Sequence, residues 1–302
     1  MHPSSGSPSR AKGLTLGILG VLFLSPDTLI IRLVNTDPWT FIAWRGAFTC
    51  AGMLIILLLQ YRLAVFAKTY AIGWIGVLIA VIFAFNNIFF QLSVQSTAVA
   101  NTLVIIATAP LSAALFSIVF LREKIPLRTW VAILLATLGV AIVFIGDLAP
   151  GDLFGNSAAL VAAIGLGIHF VLVRLATPTD MTPAVAIAGV LMCLIGITIT
   201  PDLYLRPSQL GYLVLLGVIL LPVSFALLTR APQYLPAPEV SLILLLEMIL
   251  GPLWVWWAVQ ERPALPTLIG GGLIVIVLTV HAIIGLRTLS KRSGRPANTP
   301  VN

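Results

Sequence analysis

The sequence predicts an all-α polytopic membrane protein: ten transmembrane helices laid out as two inverted five-helix repeats, with both termini cytoplasmic. Three observations predict it. Hydrophobic residues make up 59% of the 302 residues and charged residues only 9%, whereas soluble domains are about half apolar and about a quarter charged. The apolar residues gather into stretches of the length that crosses a bilayer core, about 20 residues of helix. A single shift of 138 residues superposes the end of the first half on the end of the second.

The composition excludes several function classes. With a mean hydropathy of +1.09, the chain has too few charges to cover a water-exposed surface of its size, which argues against a soluble enzyme, a disordered chain or a nucleic-acid binder. The net charge of +7 would suit nucleic acid only if the basic residues clustered, and here they flank the apolar runs. Cys50 and Cys193 both lie inside apolar runs, without disulfide or metal spacing, and read as buried filler. No metal site and no cofactor are expected.

The spans fall near residues 13–33, 38–60, 70–92, 96–120, 128–147, 153–175, 181–201, 208–230, 238–260 and 265–287. The first is expected as helix 1 rather than a signal peptide, because it is long enough to span and lacks a small-residue cleavage site. Connections are short and leave no room for a soluble domain. The layout reads as a cytoplasmic tail (1–12), a first repeat (13–147), a second, inverted repeat (153–287) and a second cytoplasmic tail (288–302). With the N-terminus inside, 13 of the 17 Lys and Arg residues fall on the cytoplasmic side. Three (Arg32, Arg206 and Arg262) fall outside, and Arg45 lies within a span. Such a skew sets orientation.

The repeat signal lies around two matched segments. Ala109-Pro110 is followed by Glu123-Lys124, and Glu247-Met248 by Glu261-Arg262, at the same spacing. The same shift sets Leu127-Arg128-Thr129 on Leu265-Pro266-Thr267. Five crossings per half put the second copy into the membrane upside down. Inverted repeats of this kind are a transporter architecture, with the site near the midplane between the halves.

The chain also resembles the drug/metabolite transporter superfamily in its EamA-type branch, from about residue 13 to 287. The resemblance is carried by Arg45 in span 2, Pro110…Glu123 leaving span 4, Phe170 to Arg174 ending span 6, and Glu247…Glu261 of span 9. The chain departs from the family pattern at Met248, where the family has Pro, and at Leu24 to Thr28, where it has a Trp-Gly-like segment. The resemblance implies the ten-helix fold, spans 5 and 10 at the periphery, and small organic metabolites as substrates, often amino acids or related compounds and often exported.

Ionisable groups at membrane depth are costly and mark function by default. Asp27 and Arg45 each lie about 10 Å below the outer edge of spans 1 and 2, beside Pro26, which removes a backbone donor. They are expected to pair, either in the outer half of a cavity or as a structural tie between the two spans. Asn86, Asn87 and Gln91 at similar depth on span 3, and Asn101 near the outer end of span 4, are further candidates for substrate contact. Asn86 and Asn87 point about 100° apart, so both cannot face one cavity squarely, and one is expected to bond a neighbouring helix. Glu247 and His169 are candidates nearer the inner leaflet, with His281 behind them. Asp27 and Glu247 are the candidate proton-coupling groups. Trp257, on one face with Trp254, would offer a ring surface to a substrate or would anchor span 9 at the interface. Glu123 and Glu261 read as helix-end anchors. Gly270, Gly271 and Gly272 allow close helix contact, within the chain or at a homodimer seam.

No phosphate-cradling loop, HExxH or GxSxG occurs. The expectation is a secondary transporter of the plasma membrane (the inner membrane if bacterial), with a small-molecule substrate, the lipid bilayer and a candidate proton as partners, no nucleic acid, and no enzymatic activity. The alternatives are a membrane enzyme acting on a lipid-linked substrate and a non-transporting scaffold.

Overall fold

The computed structural model describes residues 7–97, 99–144, 153–200 and 202–259, together with positions 265, 269, 272, 273, 276, 277, 280 and 284. Seven described helical segments are long and apolar enough to cross a membrane: Arg10–Val34, Pro38–Ala71, Gly73–Ser96, Leu153–Leu175, Thr182–Ile199, Pro207–Gln233 and Ala237–Ala258. Two shorter apolar helices accompany them, Ala109–Leu121 and Leu127–Gly139. No strand occurs among the described residues. Leu19, Ile55, Leu59, Phe85, Leu134 and Leu194 are among many large apolar side chains on the outer surface. A belt of this extent belongs in lipid rather than water.

Three segments are broken midway. The first runs as α1 (Ser7–Leu24) and α2 (Asp27–Val34), separated at Ser25-Pro26. Pro26 has no N–H to continue the ladder, the Ser25 hydroxyl turns back onto the Leu22 carbonyl at 2.9 Å, and the Trp254 indole N–H donates to that hydroxyl at 2.8 Å. α3 (Pro38–Tyr61) starts on an Asp37 carboxylate that accepts from the Trp39 and Thr40 N–H groups, an N-cap with proline at the first helical position. After it, in the connection between the spans expected at 38–60 and 70–92, comes a short helix, α4 (Val65–Ala71). Leu63, Phe66, Tyr70 and Trp74 are exposed around it, next to Arg62 and Lys68, a composition suited to the membrane–water boundary.

α5 (Gly73–Ser96) is continuous. The next segment breaks into α6 (Val99–Ile106) and α7 (Ala109–Phe116), then continues in a π-helical stretch, Ser117–Leu121. α8 (Leu127–Phe144), α9 (Leu153–Leu175) and α10 (Thr182–Ile199) follow. α11 (Pro207–Val214) runs through a π-helical stretch, Leu215–Leu220, into α12 (Leu221–Arg230). The third broken segment is α13 (Ala237–Leu244) and α14 (Glu247–Val259).

The duplication is visible in these bounds. Ala237 follows Val99, Leu244 follows Ile106 and Glu247 follows Ala109 at one constant offset, 138. The break in α13–α14 therefore falls where the break in α6–α7 falls, although Met248 stands where α7 has Pro110. No proline is needed there. Leu245 and Leu246 donate to the carbonyls of Leu242 and Ile243, three residues back, and this tightened turn ends α13.

The halves interlock at glycines. α3 packs along α10 and α7 along α9. A Cβ at Gly46 would come within 2.6 Å of the Gly189 carbonyl and the Cys193 nitrogen, and one at Gly167 within 2.7 Å of the Ala113 nitrogen. Only glycine lets these backbones approach so closely. Gly270, Gly271, Glu261 and His281 lie outside the described residues, and no described atom comes within 4 Å of a Cβ built on Gly272.

Candidate functional site

The breaks bring polar side chains to one place. Asp27 is the first residue of α2, Ala109 the first of α7 and Glu247 the first of α14, and all three line a single cavity of about 90 Å³. Arg45 from α3, Asn86 and Asn87 from α5 and His169 from α9 line it as well. Its apolar wall includes Phe83, Phe90, Phe170 and Phe225. A break at membrane depth is tolerable where it faces such a cavity, because freed backbone groups find polar partners there.

Asp27 and Arg45 form a two-pronged ion pair. One guanidinium nitrogen donates to Oδ1 at 2.6 Å and the other to Oδ2 at 2.8 Å, and each residue is only 1% exposed. The fork geometry of arginine matches a carboxylate. Asn87 braces the pair. Its Oδ1 accepts from Arg45 at 3.4 Å, and its Nδ2 donates to the Phe83 carbonyl at 2.9 Å. Glu247 lies within electrostatic reach of both charges, and no described group donates a hydrogen bond to it. Asp27 and Arg45 neutralise each other, which leaves Glu247 as the uncompensated acid of the cavity.

Besides Nε of Arg45, two buried polar atoms on the cavity wall have no partner: Oδ1 of Asn86 and Nδ1 of His169. The His169 ring packs against Phe83, with centroids 4.8 Å apart. Buried polar atoms are normally satisfied, so these two are free to meet a guest. Gln91, one turn beyond Asn87 on α5, is fully buried with its amide unpaired, but does not line the cavity.

Several sequence expectations change. The two polar sets placed at different depths meet around one cavity, because the half-helices begin at the level where the repeats cross. Asn86 and Asn87 both line it; Asn87 bonds its own helix at the Phe83 carbonyl and the neighbouring α3 through Arg45. Trp257 does not line it. Its side chain is 74% exposed and stacks edge-on with Trp254 at 6.0 Å, because α14 turns that face outward while the Trp254 N–H reaches the break in the first segment. Asn101 falls in α6, and its side chain lies outside the described residues.

Ionic links gather on the face that carries Arg10, called here the basic face. Glu123, expected as an anchor beside Lys124, pairs instead with Arg174 at 3.2 Å; Arg174 also donates to the carbonyls of Pro232 and Gln233. Asp180 receives Arg230 at 2.8 Å and the Tyr61 hydroxyl at 2.6 Å, and Arg230 also donates to Gln60. Burial pushes the Asp180 carboxyl up, but the Thr182 and Tyr61 hydroxyls, the Thr182 N–H and Arg230 outweigh it and hold the carboxyl below its ordinary value. Glu239, which the sequence reading passed over, is 3% exposed and meets Arg10 at 2.5 Å and Arg128 at 4.0 Å. An acidic residue beside proline at the start of an apolar run was the available signal. On the opposite face, a pocket of about 490 Å³ is lined by Arg32, Asn35, Gln95 and Thr97 among others, and no ion pair occurs there among the described residues.

A multi-pass helical membrane protein, with broken helices converging on a charged internal cavity, is the class that this fold and site define. Within that class, the profile of the EamA-like transporter family matches residues 11–145 and 153–282, and the chain belongs to that family, in the drug/metabolite transporter superfamily. A solved structure titled "Crystal structure of protein" aligns with a TM-score of 0.73 over 91% of this chain and 99% of its own, at 18% identity, which is a likeness of fold. No curated protein matches the chain. The family is one of membrane transporters of small molecules.

Proposed function

We propose that the chain is a secondary transporter that moves small organic metabolites, amino acids or related compounds, out across the plasma membrane by alternating access. The single observation that carries this reading is the convergence of three half-helix starts, at Asp27, Ala109 and Glu247, on one internal cavity. Half-helix ends at the midplane are how transporters of inverted-repeat design hold polar groups of a substrate. The cavity is narrower than the roughly 300–1,000 Å³ of ordinary ligand sites, so a substrate enters only as helices separate, which agrees with a contracted stage of such a cycle.

In this reading the repeats are 13–147 and 153–287, inverted, with the basic face cytoplasmic. Glu247, Asn86 and His169 contact the substrate, while Asp27 and Arg45 set the field of the cavity and fix α2 to α3. Proton coupling runs through Glu247 rather than Asp27, because Asp27 already holds a cation. An enzyme acting on a lipid-linked substrate would place its polar cluster at an interface, and here the cluster lies at the helix breaks.

The test is untargeted metabolite analysis of the medium around cells overproducing the protein, with Glu247→Gln cells at equal membrane abundance as the control. A metabolite enriched only with the native protein establishes export and places Glu247 in it. Absence of enrichment, and of saturable uptake of any compound so screened, removes the transporter reading.

A further inference from the structure

We infer that Glu239, gripped by Arg10 and Arg128, is a latch that holds the basic face shut, and that the matching positions of the other copy, Asn101 and Pro266, carry no charge with which to form a counterpart. Glu239 sits in the first turn of α13 with its carboxylate on Arg10 of α1 at 2.5 Å and Arg128 of α8 at 4.0 Å. The contact therefore ties the second half of the chain to the two ends of the first half. It lies on the path from that face to the cavity, since Ser241, two residues further along α13, lines the cavity itself.

The repeat offset supplies the comparison. Counted back by 138 residues, Glu239 falls on Asn101, and counted forward, Arg128 falls on Pro266. The duplicated scaffold thus carries an acid and a cation at the basic face where the matching positions of the other copy carry an amide and a proline. The other two ionic clusters, Glu123–Arg174 and Asp180–Arg230 with Tyr61, lie on the same face and also join residues of the two halves. Opening that face parts Glu239 from Arg10, Glu123 from Arg174 and the Tyr61 hydroxyl from Asp180, the contacts that cross between the halves, so these contacts shift the population toward the shut form. Glu239 is the most deeply buried of the acids involved, so its pairing is the least screened.

Side-specific labelling tests this. A reporter, Ser241→Cys, is made in a Cys50→Ala, Cys193→Ala background, and the protein is sealed in oriented proteoliposomes. A membrane-impermeant, cationic methanethiosulfonate is added to the Arg10 side. Replacing Glu239 by Gln is expected to raise the labelling rate by roughly tenfold or more, because it takes the buried acid away from Arg10 and Arg128. Removal of an acid weakens local attraction for a cationic reagent, so a rise cannot come from the reagent's own charge. Arg10→Gln, at the more exposed start of α1, is expected to act in the same direction even if Glu239→Gln folds poorly. The double variant should add little to either. Labelling from the opposite face should stay level or fall, whereas a merely loosened fold would raise both. An unchanged rate in folded Glu239→Gln and Arg10→Gln proteins overturns the latch. If Arg174→Gln with Arg230→Gln still opens the face, alternating access survives that outcome; if no variant opens it, that reading fails too. The readout needs no substrate, so it stands apart from the identity of the transported compound.

Discussion

Arg45 donates to both oxygens of Asp27, at 2.6 and 2.8 Å, and neither residue is more than 1% exposed. The pair spans the break between α1 and α2 and the neighbouring α3. Removing one partner leaves an uncompensated charge in a low-dielectric site. Asp27→Asn or Arg45→Gln alone is therefore expected to cost about 3–5 kcal/mol of stability. The double variant is expected to cost clearly less than the sum, because no bare charge remains. Thermal unfolding of the four proteins in detergent checks this, and additive losses would count against a coupled pair.

Glu247 behaves differently because no described side chain pairs with it. Glu247→Gln removes an acid that no described side chain pairs, so it is expected to leave the protein as stable as native or more so and to abolish any response of transport to an imposed pH gradient. Flux measured with and without that gradient decides the point. A response that survives the substitution moves proton coupling elsewhere.

At the basic face, the Asp180 carboxyl is held below its ordinary value of 3.8. A group whose folded value lies under its unfolded value contributes stability above the unfolded value, and that contribution is lost as pH falls through the folded one. Acidification below about pH 4 should thus loosen the Asp180–Arg230–Tyr61 cluster. Asp180→Asn is expected to be less stable at neutral pH and to lose less on acidification. Unfolding midpoints measured at neutral and acid pH test both statements.

The Gly46–Gly189 crossing leaves no room for a methyl group, since a Cβ at Gly46 would sit 2.6 Å from backbone atoms of α10. Gly46→Ala is expected to cost about 1–3 kcal/mol through forced separation of α3 and α10. Gly211, where a Cβ meets nothing within 4 Å, serves as the control, and Gly211→Ala should be near neutral in the same unfolding assay.

Trp254 and Trp257 of α14 separate structure from surface. Trp254→Phe loses the hydrogen bond to Ser25 at the helix break and should cost about 1 kcal/mol. Trp257→Phe keeps an outward-facing ring away from the cavity and should leave transport unchanged. A transport defect confined to Trp257→Phe would reinstate it at the substrate.

The sequence by itself determined that this chain lives in a bilayer, where most of its spans fall, and that its two halves share an offset of 138. These are properties of residues counted along a line. That Asp27 and Arg45 come to one level was legible for the same reason, since rise per residue converts position into height, and Pro26 marked the first break. The faces of the helices were not legible. In lipid the outside of a bundle is as apolar as its inside, so the periodicity that would tell Trp257 from Trp254 is erased. Tertiary structure alone decided that Asp27, Arg45, Asn86, Asn87, His169 and Glu247 share one cavity, that the third break needs no proline, and that Glu239 meets Arg10 across 229 residues of chain. Each depends on helix rotation and crossing, which close approaches such as Gly46 against Gly189 fix and the linear pattern does not carry.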